Sequence, residues 1–414
     1  MRLPSTLLLL SCALLACTSA ISGTQGSALD AAAPLDLGTV FEEDIESPVD
    51  RPVDPPMDRL APDHVDVPSR PPDSYFLDRP PCTGTDCLRA VDLWTSEQAA
   101  VIRLADGSFR AWGVLHEFGL AHQRFSVVPV LEGESELLDF EFTGFGPMVQ
   151  TLDRTGVLRQ GNAVEGYRPV PMTRVNPVDF AYSGLCTFIR FRDGQVEARC
   201  RDPRGDFTID LPPDTTTLPR SSHHCVGGPS GITCVSVELN AGHRSISLRR
   251  AAIPGAPFLE VLALGGHPGS PCAVFRRNLQ VDTEVWCWNG AEVWYGGPAD
   301  THVSRAPVPI DELDGARSVA VGGSAFAVMG DGTVRARGNN RYGNLGLGTS
   351  SDWSDWVTIP GLRDVVLVSG SSYGACALTR GGEVWCWGMG HSPLLSPLHL
   401  ADDAIAPPTR ITWQ

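Results

Sequence analysis

A phrase of thirteen residues near the end of the chain, C-A-L-T-R-G-G-E-V-W-C-W-G from Cys376 to Gly388, recurs upstream in weaker copies. Aligned on the turn glycine of the phrase, the copies follow one another at steps of 37 to 52 residues. The aligned glycines are Gly107, Gly156, Gly194, Gly332 and Gly382, with Gly231 and Thr283 at the degraded positions. A period of this length predicts an array of like supersecondary units, which constrains the fold before any local propensity does.

Every copy consists of short apolar or alternating runs separated by glycine turns, and no stretch shows the 3.6-residue period of a helix. One copy, for example, runs from Val319 through the turn at Asp331-Gly332 to Pro360. Runs of this kind indicate strands, and four short strands per unit are typical of a propeller blade. The predicted fold is therefore all-β: a seven-bladed β-propeller of four-stranded blades over residues 82–414, preceded by a disordered tether.

The positions of the cysteines agree with this register. In an antiparallel hairpin the numbers of two opposed residues have a constant sum, so a disulfide across the hairpin must be centred on its turn. Cys376 with Cys386 and Cys186 with Cys200 are each centred on the residue before a turn glycine. Opposed residues at a non-hydrogen-bonded site have Cα atoms about 4.5 Å apart, which a disulfide tolerates. Copies without cysteines place apolar pairs there: Val101 with Ala111, and Phe326 with Ala336.

Ten of the 12 cysteines fall into five neighbouring pairs. The candidate disulfides are Cys82–Cys87, Cys186–Cys200, Cys225–Cys234, Cys272–Cys287 and Cys376–Cys386. Pairs at hairpin spacing predict an oxidising compartment. The alternative is zinc ligation, but zinc-binding cysteines usually stand about two to four residues apart and cluster in one place. No metal site and no cofactor are expected.

The first residues predict export and a lipid anchor. Arg2 precedes a short apolar core, which is typical of a signal peptide and too short to span a bilayer. The run Leu14-Leu-Ala-Cys17 resembles the lipobox of bacterial lipoproteins, in which residues 1–16 are removed and Cys17 receives acyl chains such as palmitate. In the families that this resembles, a residue other than Asp after the cysteine, here Thr18, commonly permits transfer to the outer membrane. An ordinary secretory signal cleaved after Ala20 is the alternative.

Residues 17–81 predict an acylated tether rather than a domain. Residues 18–81 hold 11 prolines, 13 acidic residues and 4 arginines, and they contain no alternating apolar run. A segment with so much like charge and so little to bury does not offset its ordering entropy, so it is expected to be disordered and extended. A small acidic domain is the alternative.

The net charge excludes one class of partner. The chain has a formal charge of −16, all 32 of its basic residues are arginine, and these are scattered rather than clustered. Nucleic-acid phosphates require clustered positive charge, so no nucleic-acid partner is expected.

The last two copies resemble a known family. Val319-Ala-Val-Gly-Gly, Asp331-Gly-Thr-Val and Gly338-Asn-Asn-Arg-Tyr-Gly-Asn-Leu-Gly-Leu-Gly348 are similar to the regulator-of-chromosome-condensation repeat, whose units form seven-bladed propellers. Cys376-Ala-Leu with Val384-Trp-Cys-Trp-Gly388 resembles the variant of exported bacterial members. The likeness is strongest over residues 315–390 and weakest over 137–250. The eukaryotic namesake promotes nucleotide exchange on a nuclear GTPase through an inserted wedge; no such insertion is found here, so no GTPase partner is expected.

Other candidates for chemistry have simpler explanations. His223-His224 lies beside Cys225 without a further ligand at metal spacing, and Glu117 beside His116 is not the helical two-histidine zinc motif. Asp352 and Asp355 are expected to be solvated. The pairs Trp286/Trp288 and Trp385/Trp387 lie two residues apart on one strand face, which favours packing between blades over a sugar platform.

Two functions remain open. The first is a surface-anchored, non-enzymatic binding or scaffold lipoprotein, a monomer that uses propeller loops to bind an exported protein. The second is an extracytoplasmic hydrolase or lyase acting on polysaccharide in the propeller funnel. An enzyme needs convergent His, Glu, Asp or Tyr residues, and no repeated placement of these occurs at equivalent loop positions, so binding is favoured. The C-terminal run Thr409–Trp413 is expected to close the ring by pairing beside Ala90–Trp94 of the first blade.

Overall fold

The structure is a computed structural model that describes residues 88–413 apart from 116–127, 132–136, 143–148, 163–165, 173, 184–185, 203–204, 220–224, 241–242, 252–259, 268–269, 278–282, 288–306 and 322. Within this part, 27 strands form seven antiparallel sheets, numbered 1 to 7 in chain order. The predicted signal peptide, Cys17, the tether and the pair Cys82–Cys87 lie outside the described residues.

Sheets 1 to 3 have four strands each, in chain order. Sheet 1 comprises β1 Ala90–Thr95, β2 Ala99–Leu104, β3 Phe109–Gly113 and β4 Val128–Val130. Sheet 2 comprises β5 Leu137–Phe142, β6 Val149–Asp153, β7 Leu158–Asn162 and β8 Gly166–Pro169. Sheet 3 comprises β9 Pro177–Ser183, β10 Cys186–Phe191, β11 Val196–Asp202 and β12 Gly205–Ile209.

Sheet 4 has three strands, and sheets 5 to 7 again have four. Sheet 4 comprises β13 Cys225–Gly228, β14 Gly231–Asn240 and β15 His243–Ala251. Sheet 5 comprises β16 Glu260–His267, β17 Ser270–Arg276, β18 Glu284–Cys287 and β19 Val308–Pro309. Sheet 6 comprises β20 Ala316–Val321, β21 Ser324–Met329, β22 Val334–Asn340 and β23 Ser351–Thr358. Sheet 7 comprises β24 Val365–Ser371, β25 Gly374–Thr379, β26 Val384–Met389 and β27 Ile405–Ile411.

The second strand of each regular sheet is buried on both faces, which explains its continuous apolar sequence. All six residues of β2 and of β25 are buried. A strand that packs against a neighbouring sheet on each side loses the alternation that a half-exposed strand shows. The apolar second strand and the glycine turn after it are therefore the strongest signals that the sequence repeats.

The sheets form a closed ring, because an apolar cluster fills every gap between consecutive sheets. The clusters join sheets 1 and 2, 2 and 3, 3 and 4, 4 and 5, 5 and 6, 6 and 7, and 7 and 1. First strands lie side by side in the ring: β1 contacts β5 and β24, and β20 contacts β16 and β24. The first strand of each four-stranded sheet is therefore nearest to the axis. The fold is an all-β propeller with six four-stranded blades.

Sheet 4 departs from the predicted seven four-stranded blades. In the described residues it has β13, β14 and β15, and the position of the missing first strand holds a single bridge between Thr217 and Gly227. Pro212 and Pro213 come shortly before this bridge and lack the N–H groups that a ladder needs. The count of seven four-stranded blades thus stays a prediction.

The ring does not close as expected from the sequence. β27 pairs with β26 of its own sheet, with Ile411 opposite Val384, and does not pair with β1. The last and first sheets are joined by packing and by a few hydrogen bonds instead. Trp112 donates its indole N–H to Leu394 O at 2.8 Å, and Trp413 donates to Leu88 O at 2.9 Å. The prediction that the C-terminal run adds to the first blade is wrong.

Candidate binding surface

Four of the predicted cysteine pairs are disulfides. Cys186–Cys200, Cys225–Cys234, Cys272–Cys287 and Cys376–Cys386 are bonded. In each pair the two cysteines are directly opposed on adjacent strands of one sheet. In the sheets without cysteines, Val101 stands opposite Ala111 and Phe326 opposite Ala336. The disulfides indicate an oxidising, extracytoplasmic location.

The five predicted turn glycines lie at one end of the ring, in the hairpins between second and third strands. Their φ angles are positive, at 88° for Gly107, 79° for Gly156, 83° for Gly194, 80° for Gly332 and 83° for Gly382. This conformation is costly for residues with a Cβ, which explains why glycine recurs there. We call this end of the ring the turn face. The opposite end, which carries the loops between third and fourth strands and the turns between first and second strands, is the loop face.

Two tryptophans attach loops of the loop face to the next sheet. Trp387 of β26 is fully buried and donates its indole N–H to Asn344 O of sheet 6 at 2.7 Å. Trp112 of β3 has the same offset from its turn glycine and donates to Leu394 O of sheet 7. Trp286 is buried as well, and Trp385 is half-buried, while Trp288 lies outside the described residues. The described tryptophans pack between sheets, as the sequence predicts.

An aromatic cluster lies on the loop face where these attached loops meet. The Tyr342 ring in the loop after β22 is 5.1 Å from the Tyr373 ring in the turn after β24, measured between centroids. The His391 ring in the loop after β26 lies 4.9 Å from Tyr373. Both contacts are edge-to-face, the geometry that aromatic pairs favour. We call Tyr342, Tyr373 and His391 the aromatic patch; Tyr373 is 36 % exposed.

The loop that carries Tyr342 is held by buried amides. Asn340 is fully buried, donates to Thr349 O at 2.8 Å and accepts the Leu345 N–H at 3.0 Å. Asn344 donates to Ser372 O of sheet 7 at 2.8 Å. Each buried amide therefore closes the loop on itself or fastens it to the next sheet, and the loop is stiff despite its glycines.

The loop that carries His391 is anchored by apolar residues buried between sheets 7 and 1. It contains a 3₁₀ helix, Pro393–Leu398, whose residues Leu394 and Leu395 are fully buried in the cluster between sheets 7 and 1. The backbone N–H of His391 donates to Asp402 O at 3.1 Å, so the end of the loop lies beside the aromatic patch. Asp402, Asp403 and Leu400 are exposed there.

Sheet 1 contributes a carboxylate to the same surface. Glu97, in the turn after β1, accepts hydrogen bonds from the backbone N–H and the hydroxyl of Ser372, each at 2.9 Å. Ser372 is the neighbour of Tyr373 in the chain. This clamp fixes the turn that carries the central ring of the aromatic patch and joins the first sheet to the last.

Ion pairs on the turn face lower the pKa values of their carboxyl groups. Arg277 donates to both carboxylate oxygens of Glu284, at 2.5 and 2.9 Å. This bond is the main reason that the pKa of Glu284 lies below its ordinary value, since burial acts in the opposite direction. Burial also acts to raise the pKa of Asp153, but hydrogen bonds from Thr155, Val157 and Arg159 lower it overall.

Sequence reasoning missed one repeated carboxylate. The first strands of sheets 1, 2 and 3 carry an aspartate at the same register: Asp92, Asp139 and Asp179. All three are buried, and Asp92 and Asp179 pair with Arg103 at 3.5 Å and Arg190 at 3.6 Å. The phrases V-D-L, L-D-F and V-D-F mark them in the sequence. They lie within the strands rather than in loops and hold strands together.

The remaining candidates from the sequence are only partly covered by the described residues. Asp352 and Asp355 are exposed, and Asp355 pairs with Arg337 at 3.3 Å. His116, Glu117, His223 and His224 lie outside the described residues. In the described ranges, no group of three or more His, Cys, Asp or Glu residues is placed to hold a metal ion. The same ranges contain no helix with the length and apolarity needed to cross a lipid bilayer.

Comparison with known proteins agrees with the repeat. Residues 365–392 match the model of the Regulator of chromosome condensation (RCC1) repeat. Among curated proteins, the chain is 28% identical over 119 residues to the mitochondrial RCC1 domain-containing protein RUG3 of Arabidopsis thaliana, covering 28% of this chain and 27% of that protein. It is 31% identical over 117 residues to the ultraviolet-B receptor UVR8 of Arabidopsis thaliana, covering 27% and 26%. The chain thus matches about a quarter of the length of these relatives.

Some solved structures resemble the chain at low identity. Prp20p from Saccharomyces cerevisiae superposes with a TM-score of 0.44 and 12% identity, covering 80% of this chain and 78% of that chain. Human WBSCR16 superposes with a TM-score of 0.44 and 17% identity, covering 78% and 83%.

Proposed function

This chain belongs to the proteins that carry regulator of chromosome condensation repeats, and we propose that it is a non-enzymatic scaffold that binds an exported protein on the loop face of sheets 6 and 7. The observation that carries the proposal is the aromatic patch. Tyrosine rings with a polar edge and an apolar body are enriched among the residues that dominate protein interfaces.

The chemistry around the patch supports a protein partner. Leu400 is 36 % exposed and packs beside Gly390, the neighbour of His391, so an aliphatic surface adjoins the rings. Arg341, Asp402 and Asp403 are exposed around it. An apolar centre with a charged rim is the usual anatomy of a protein interface.

The rigidity of the patch supports recognition without a closure step. Its three rings come from three separate segments, and each segment is fastened by buried hydrogen bonds or by Glu97. A surface that is already ordered pays less entropy on association. The ring of sheets therefore holds the loops in one arrangement.

We also propose that the protein is anchored to the outer membrane. Acyl chains on Cys17 hold the protein at the outer membrane, and residues 18–81 space the propeller from it. Two or more chains give stable anchoring where one does not. Replacing the cysteine, Cys17→Ser, is expected to move the protein into the soluble exported fraction. A variant that still sediments with membranes in detergent-free buffer contradicts the anchor and leaves the binding surface to be judged separately.

We also propose that sheet 4 is a seventh blade. Thr217 pairs with Gly227 through two hydrogen bonds of 2.9 Å, in the place where other sheets have a first strand. Apolar clusters join sheet 4 to sheets 3 and 5 in the same manner as elsewhere in the ring. A one-bridge first strand is a shortened version of the repeat.

Site-specific photocross-linking tests the binding surface. A photoreactive phenylalanine at Tyr373 is expected to capture one exported protein in cells, and Tyr342→Ala should reduce that adduct at least tenfold by removing the neighbouring ring. The matched control places the same group at Val175, which is 78% exposed beside the turn face between sheets 2 and 3. The same adduct from both positions, or no discrete adduct from Tyr373, overturns the proposal, as does turnover of polysaccharide by the purified protein.

A further inference from the structure

The outer strand of sheet 4 differs from the outer strands of the other sheets. β15 has 9 residues, and all of them pair with β14 in one unbroken register from Ile232–Ala251 to Asn240–His243. The outer strands of sheets 1, 2, 3 and 5 have 5 residues or fewer, and those of sheets 6 and 7 are interrupted by register shifts. Short length, bulges and proline protect an exposed edge against pairing with another chain. β15 is long and regular, and its sequence contains no proline.

The disulfide of sheet 4 shows which backbone groups of β15 point away from the sheet. The Cα atoms of Cys225 and Cys234 are 3.9 Å apart, the short distance typical of an opposed pair that shares no ladder hydrogen bonds. The N–H and C=O of Cys234 therefore point toward Arg249, its partner on β15. Because this direction alternates along a strand, the N–H and C=O of Leu248 point out of the sheet. The other β15 residues with this backbone direction are Arg244, Ile246 and Arg250.

The outer edge of β15 is open in the part of the chain that the structure describes. Sheet 4 ends at β15, and within the described ranges no backbone hydrogen bond from another segment reaches this edge. Leu248 is 43% exposed there. A row of N–H and C=O groups along a regular edge is a template for one more strand, which is how many domains bind extended peptides.

The charge of β15 decides which kind of strand fits. Its sequence holds three arginines, Arg244, Arg249 and Arg250, and no acidic residue. A second copy of β15 would bring arginines close to arginines, and like charges on paired strands are destabilising. A segment rich in Asp and Glu would instead be attracted by opposite charge, which favours its encounter and its selection over other segments.

We propose that the outer edge of β15 is a second docking site, at which an extended acidic segment of a partner protein adds to sheet 4 as one more strand. Backbone hydrogen bonds along the edge supply the affinity, and the arginines of β15 select acidic segments. The first strands of the regular sheets are nearest to the axis, so this edge lies at the outside of the ring. The site does not require the aromatic patch.

Fluorescence anisotropy with the purified full-length protein tests the site. The probe is a short labelled peptide in which glutamate and valine alternate. A peptide that alternates lysine and valine is the charge control, and the acidic peptide with every backbone nitrogen methylated is the backbone control. We expect saturable binding of the acidic probe and binding weaker by about tenfold or more for each control, because each control lacks one of the two kinds of attraction.

Two variants at one position separate the backbone from the side chain. Leu248→Pro removes an outward N–H and keeps the ladder to β14, since proline is tolerated on an edge strand where its nitrogen faces away from the sheet. It should weaken binding by about tenfold or more, because a hydrogen bond is lost and its partner is left unpaired. Leu248→Ala is the matched control: it keeps the N–H and should change affinity by less than about threefold. Thermal unfolding checks that both variants are folded.

Hydrogen exchange gives a readout that needs no variant. The acidic probe should slow exchange of the Ile246 and Leu248 N–H groups and leave the Ser247 N–H, which already faces β14, unchanged. This alternation and the methylated peptide decide the question if Leu248→Pro does not fold. Equal binding of the lysine peptide, no saturable binding of the acidic probe, or unchanged affinity in a folded Leu248→Pro variant overturns the proposal. A dimer that Leu248→Pro abolishes would assign the edge to a second copy and overturns it as well.

Discussion

The disulfide-bonded hairpins of sheets 7 and 4 have nearly the same length, with sequence separations of 10 and 9 between their cysteines, but their surroundings differ. In sheet 7 the hairpin lies between a full first strand, β24, and a full fourth strand, β27. In sheet 4 the hairpin β13–β14 has β15 on one side and only the bridge from Thr217 on the other.

This difference shows which parts of the repeat the ring requires. Sheet 4 keeps the positions that pack against neighbours: Cys225 and Ile232 face sheet 5, and Val226 and Val235 face sheet 3. In the described residues it has only the bridge at Thr217 in place of a first strand. The ring is therefore stabilised between sheets, and an irregular sheet is tolerated where its two apolar faces remain.

The largest expected loss of stability comes from replacing Trp387, the residue directly after Cys386. Trp387→Ala removes a fully buried indole and its hydrogen bond to Asn344, and should cost about 3–5 kcal/mol of unfolding free energy. Val235→Ala, the same position in sheet 4, should cost about 2 kcal/mol because only two methyl groups are lost. Denaturant titration measures both. Equal costs would contradict the view that this position contributes more buried surface in sheet 7 than in sheet 4.

The next effect separates two turns of the turn face that differ in how closely a neighbouring sheet approaches them. Gly332 and Gly194 have φ of 80° and 83°, but a Cβ on Gly332 would lie 2.8 Å from Asp364 Cα, whereas one on Gly194 meets nothing within 4 Å. Gly194→Ala should cost about 1–2 kcal/mol from backbone strain alone. Gly332→Ala should cost about 2–4 kcal/mol because overlap is added. A Gly194→Ala variant that is the less stable of the two reverses this argument.

Removal of the disulfides should affect the two sheets alike. For loops of 10 and 9 residues the chain-entropy model gives about 2.5–3 kcal/mol each. Cys376→Ala with Cys386→Ala and Cys225→Ala with Cys234→Ala can be compared by thermal unfolding under oxidising conditions. A loss below about 1 kcal/mol in sheet 4 alone would mean that this sheet opens independently of the ring.

The smallest expected effect is the loss of one ion pair, whose contribution to stability depends on pH. The pKa of Glu284 is lowered from 4.5 by Arg277, so its stabilisation is present above that pH and is lost as the pH falls through the lower folded value. Glu284→Gln should cost less than about 1 kcal/mol at pH 7, since both side chains are a quarter exposed. The difference from the wild type should shrink as the pH falls below 4.5 and vanish once the Glu284 carboxyl is protonated in the folded protein. A difference that grows on acidification contradicts the assignment.

The sequence allowed the register of four bonded hairpins to be predicted because a hairpin is local. Its turn fixes which residues oppose each other, so the cysteine positions alone determine the pairing of Cys186 with Cys200 and of Cys376 with Cys386. The aromatic patch could not be found in this way. Tyr342, Tyr373 and His391 belong to three segments, and only the packing of sheet 7 on sheet 6 brings their rings together.

The sequence by itself determined the repeat, the all-β class and four of the cysteine pairs, because these depend on spacing within one unit. Tertiary structure decided how the ring ends and where its surfaces lie. The C-terminal strand pairs with β26, a partner a short loop away, rather than with β1 at the far end of the chain, because closing a short loop costs less entropy.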